Sequence, residues 1–112
     1  MTSIKIVKSK LTGYSSFKSE GHSGYSEAGT DIVCAAVSSV TELVINILES
    51  FSVDFELDIR KDSASVLCEI IQSESNSQKK EIITNIVGGY AEYLKQLSAE
   101  YPTYLKCILT EK

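Results

Sequence analysis

The sole histidine of the chain, His22, stands in a glycine-rich stretch, and Cys34 follows it at the entrance of an apolar segment with helical periodicity. An imidazole and a thiol are the pair that acyl transfer through a covalent intermediate requires: the thiolate attacks and the imidazole moves the proton. A thiol in the first turn of a helix is favoured as thiolate by the partial positive charge at that end. Asp31, Cys34 and Ser38 are spaced three and four residues apart, so one helix face carries a carboxylate, a thiol and a hydroxyl in a row. A carboxylate close to the thiol opposes thiolate formation, so Asp31 is better suited to orient His22 or to cap the helix. Ser38 suits either a hydrogen bond near the thiol or one to its own helix.

Spacing alone also admits a purely structural reading. Cysteine is among the most buried residue types, and a lone loop histidine is ordinarily solvated. Cys68 and Cys107 fall on apolar faces of strands and read as inert core. The three cysteines form no C-x-x-C pair, which indicates neither a disulfide framework nor a zinc knuckle. A metal site drawn from His22, Cys34, Cys68 and Cys107 lacks close-spaced ligand pairs, so no metal or cofactor is expected.

The elements that must position these groups follow from periodicity. Residues 3–10 alternate loosely around Ile4 and Ile6 and read as a strand, Thr12-Gly13 turns the chain, and 14–19 form a second strand. Gly21, Gly24 and Gly29 fall within nine residues, too glycine-rich for a helix or a sheet interior. Thr30 or Asp31 then caps a long helix whose apolar stripe is Val33, Ala36, Val37, Val40, Val44, Ile47 and Leu48. Val53, Phe55, Leu57 and Ile59 alternate with acidic residues as a half-buried strand, residues 61–63 turn, and Val66, Cys68 and Ile70 mark a fourth strand. After a polar break at 73–77, a second helix runs from about 78 to 100. One of its faces carries Ile83, Ile86, Val87, Tyr90, Leu94, Leu97 and Tyr101. Gly88-Gly89 inside it costs about 1 kcal/mol per glycine relative to Ala and is tolerated best where another backbone approaches. Pro102 ends the helix, and 104–110 form a last strand with Leu105, Cys107 and Leu109 on one face. The order β-β-α-β-β-α-β predicts an α+β sandwich, a mostly antiparallel sheet with two helices, in one domain spanning 1–112.

Composition narrows the setting. The chain has 112 residues, 43% of them hydrophobic and 23% charged, which is globular composition. With 15 acidic against 11 basic residues the net charge is −4, the wrong sign for direct nucleic-acid binding. The longest uninterrupted apolar run, Ile32–Val37, is six residues, against the ~18 a membrane span needs. The N-terminus lacks the apolar segment of a signal peptide. The expected setting is a reduced, cytoplasmic one, without nucleic acid or membrane as partner.

Gly21-His22, followed by Gly29-x-Asp31-Ile32-Val33-Cys34-Ala35-Ala36-Val37-Ser38, resembles the signature of the ribosomal-processing cysteine proteases, a small bacterial family called Prp. The likeness in element order and length extends along essentially the whole chain, and Ser23 departs from the Ala that often follows the histidine. The resemblance implies a cysteine endopeptidase that removes a short N-terminal extension from a large-subunit ribosomal protein, the twenty-seventh, during ribosome assembly. It assigns the nucleophile to Cys34, the general base and acid to His22, and supporting roles to Asp31 and Ser38. It also implies a homodimer, and a mobile cover over the substrate groove formed by the loop of Gly21, Gly24 and Gly29. The competing reading is a non-catalytic ribosome-biogenesis binding module of the same fold.

Overall fold

Alternation along the first strands places Thr2, Ile4 and Ile6 of β1 (Thr2–Ser9) and Phe17 of β2 (Gly13–Glu20) in the interior. Gly13 opens β2 at φ +83, a left-handed conformation that glycine adopts without strain. The computed structural model describes residues 1–21, 31–71 and 77–112. His22, Gly24, Gly29 and most of the polar break after β4 therefore lie outside the described residues. The elements appear in the expected order, continuing with α1 (Ile32–Ser50), β3 (Phe55–Arg60), β4 (Ser65–Ile70), α2 (Ser77–Glu100) and β5 (Leu105–Glu111).

The five strands form one sheet in the order β3-β4-β2-β1-β5. Three neighbouring pairs are antiparallel, and β5 returns beside β1 in parallel. Register aligns Ile59, Val66, Ser19, Ile4 and Cys107 in one cross-strand row, and Leu57, Cys68, Phe17, Ile6 and Leu109 in the next. The opposite face carries Asp58, Leu67, Lys18, Lys5 and Ile108 in register, with Lys18 pairing Glu20 at 2.8 Å. One face is thus apolar and the other mixes charged with half-buried apolar side chains, as a sheet covered on one side allows.

Both helices help to close the core. α1 buries Val33, Val37, Val44 and Leu48, and α2 buries Ile83, Val87, Tyr90, Leu94 and Leu97. Thr41 Oγ1 and Tyr90 Oη join the helices at 2.8 Å, which satisfies both hydroxyls inside the core. The Tyr90 ring also packs on Phe17 at 4.9 Å between centroids. By length and composition α1 would suffice to cross a membrane, but its Val33-Val37-Val44-Leu48 stripe is part of the core.

Three expectations change in detail. β3 is an edge strand, so Leu57 and Ile59 are 42% and 61% exposed instead of half-buried. Tyr101 lies just beyond the end of α2, packed partly against the core. At Gly88 a Cβ would meet the Tyr14 ring hydroxyl at 3.7 Å, whereas at Gly89 it would meet nothing within 4 Å. Among the described residues no backbone from outside α2 lies within 4 Å of either Cβ position.

Candidate functional site

Asp31 adopts an extended conformation (φ −75, ψ 101) immediately before α1, and its Oδ1 accepts the Cys34 N–H at 2.9 Å. This is an N-cap: the side chain satisfies a donor that the helix itself leaves without a partner. The Asp31 carbonyl accepts the Ala35 N–H at 3.0 Å, so the helix begins there. Asp31 is 4% exposed, and no acidic residue follows it within the first turn. The aspartate that sequence spacing placed beside the thiol is thus tied to the backbone of the thiol-bearing residue. An oxyanion forming at Cys34 would compete with Asp31 for that same N–H.

Cys34 is half-buried and opens into a groove of about 300 Å³. One wall is α1, with Cys34, Ser38, Glu42 and Ile45 at helical spacing and Val37 and Thr41 deeper. The opposite wall is the end of β3, the connecting turn and the start of β4, contributing Ile59, Lys61, Ala64 and Val66. Thr2, Ser19 and Gly21 line it as well. The structure therefore brings Cys34 and Ser38 into one cavity and seats Asp31 at the head of α1.

Gly21, expected at the start of the mobile cover, is anchored at both of its backbone polar groups. Its N–H donates to the Ala64 carbonyl at 3.2 Å, and its carbonyl accepts the Thr2 hydroxyl at 3.2 Å. Its φ of +88 and the 3.0 Å that a Cβ would leave to the Met1 carbonyl oxygen exclude larger side chains there. The residue before His22 is a fixed post.

The other two thiols are in different surroundings. Cys68 is fully buried, and burial pushes its pKa up to about 12, with Glu69 adding to the rise. Burial also raises Cys107. Both act as core side chains, as their strand positions predict. Among the described residues no group of three or more His, Cys, Asp or Glu side chains could hold a metal ion.

Sequence reasoning missed the second wall of the groove. Glu42 and Ile45 follow Cys34 at eight and eleven residues, so helical spacing alone could have found them. Nothing local links Ile59 or Lys61 to Cys34.

The profile of the family described as cysteine protease Prp matches residues 1–106. Among solved structures, the essential ribosomal processing protease Prp from S. aureus, in complex with a covalently linked product peptide, superposes with a TM-score of 0.77 at 19% identity over 100% of both chains. The same protease in complex with a substrate peptide gives 0.77 at 18% identity, again over 100% of both chains. SMU.848 from Streptococcus mutans gives 0.75 at 22% identity over 100% of this chain and 96% of that one. A search of curated proteins finds no match.

Proposed function

This chain belongs to the cysteine protease Prp family, and from that premise we propose that it cleaves a peptide bond with Cys34 as nucleophile and His22 as general base and acid. The observation that carries the reading is a half-buried thiol on the first turn of α1, opening into a groove of about 300 Å³. The Cys34 thiolate adds to the scissile carbonyl, and His22 protonates the departing amine. His22 then deprotonates the water that hydrolyses the thioester. Asp31 supports the reaction by fixing the helix terminus that carries the thiol. Ser38, one turn further, lines the same groove.

The substrate we propose is the precursor of the twenty-seventh large-subunit ribosomal protein, whose N-terminal extension would be removed in the cytoplasm. Support comes from the S. aureus ribosomal processing protease, whose structures hold a substrate peptide in one case and a covalently linked product peptide in the other. The proposed assembly is a homodimer. Its support is the exposure of apolar side chains on both helices, Ile32 and Leu43 of α1 and Tyr93 of α2, each more than two fifths exposed. Gly89, with open space at its Cβ position, lies one turn from Tyr93. Light scattering at high micromolar concentration should give twice the 12.3 kDa of one chain; a monomer would remove this part alone.

The decisive experiment is cleavage of a peptide bearing the extension by wild type, Cys34→Ala and His22→Ala. Loss of either group should slow cleavage at least ~10³-fold, and the double variant should be little worse, because groups acting as a unit are not additive. Retained cleavage by a folded Cys34→Ala protein would end the protease reading and favour the binding-module alternative.

A further inference from the structure

The groove does not stop at the thiol. It continues along α1 past Ser38 to Glu42 and Ile45. Eight residues of helix at ~1.5 Å each put Glu42 about 12 Å from Cys34. An extended peptide advances about 3.3 Å per residue, so Glu42 stands beside the residue three or four positions from a bond held at Cys34. The residue is exposed and lines the groove, and among the described residues no ion pair engages it. It is also the sole acidic side chain among the described residues that line the cavity.

The cationic groups of the groove belong to the other wall. Lys61 sits in the turn after β3, and the Arg60 guanidinium reaches Asp58 at 3.4 Å. The α1 wall therefore presents one negative charge with Ile45 one turn beyond it, on the side of the groove away from Arg60 and Lys61. A peptide side chain running along that wall meets a carboxylate and aliphatic surface together. The long apolar stem and cationic head of Lys or Arg match this combination.

We propose that Glu42 is a specificity-determining residue that selects peptides carrying a Lys or Arg three or four residues from the scissile bond. Only the placement of that bond at Cys34 rests on the protease reading above. A partly exposed ion pair of this kind should favour Lys over Gln about three-fold, and Lys over Glu about ten-fold.

The test uses fluorescent peptides of fixed apolar sequence in which one lysine is walked from four positions before the bond to four after it. Binding is read by anisotropy on Cys34→Ala protein at low salt, and cleavage on wild type. The expected result is a maximum of affinity at three or four residues on one side of the bond. That maximum should flatten in Glu42→Gln, invert toward a glutamate-bearing peptide in Glu42→Lys, and shrink with added salt. A flat scan, or a maximum that survives Glu42→Gln, overturns the assignment. Charge-selective binding without cleavage by wild type would sink the protease reading and leave the Glu42 assignment standing.

Discussion

Replacing Asp31 with alanine should destabilise the protein by about 2 kcal/mol, for reasons that can be separated. Its Oδ1 accepts the Cys34 N–H at 2.9 Å, and loss of an N-cap side chain costs about 1 kcal/mol. The acceptor is a carboxylate at the positive end of the α1 dipole, which adds about 0.3–1 kcal/mol. Asp31 is 4% exposed, so water does not readily replace the lost acceptor, and the total moves to the upper part of that range. At about 4 °C per kcal/mol for a domain of this size, Asp31→Ala should melt about 8 °C below wild type. Asn keeps an acceptor and loses the charge, so Asp31→Asn should fall about half as far. Thermal unfolding followed by circular dichroism at neutral pH measures both. A Tm for the alanine variant within 2 °C of wild type, about half a kcal/mol at that conversion, would refute the capping argument. Turnover gives a second readout. If Asp31 acts through the helix, Asp31→Asn should keep cleavage within about ten-fold. A loss of kcat/KM beyond about a hundred-fold at nearly unchanged Tm would assign it to proton transfer instead.

Limited iodoacetamide at neutral pH should label Cys34 well before the other thiols, because it opens to the groove while burial holds Cys68 near 12 and raises Cys107; equal labelling by mass spectrometry would contradict this. Stability should be full below pH 9.0 and fall as pH rises toward about 12, since Cys68 binds its proton more tightly folded than unfolded. Denaturant midpoints across that window check the sign, and Cys68→Ala should weaken the alkaline loss. Gly21→Val should lower both Tm and turnover, given φ +88 and the 3.0 Å approach to Met1; an unchanged melting curve would show that the post yields freely.

The sequence by itself determined what depends on near neighbours along the chain. Covalent spacing offered Thr30 or Asp31 as the cap of α1, and the structure forms the capping bond from Asp31. Period-two and period-3.6 patterns determined the seven elements and the interior sides of β1 and α1, because burial acts on every turn or every second residue. The placement of the thiol on the first turn of α1 was legible in the same way. Tertiary structure alone decided the neighbours. Phe55, Leu57 and Ile59 read as a half-buried strand, yet β3 is an edge on which Phe55 packs partly against the core while Leu57 and Ile59 are largely exposed. The parallel return of β5 to β1 has no local signature, since a strand's own pattern does not name its partner. The second wall of the groove comes from residues 59–66, remote in sequence from Cys34 and joined to it only by folding. Local hydrogen bonds and side-chain periodicity are written in short windows of sequence, whereas a cavity forms where distant segments fail to touch.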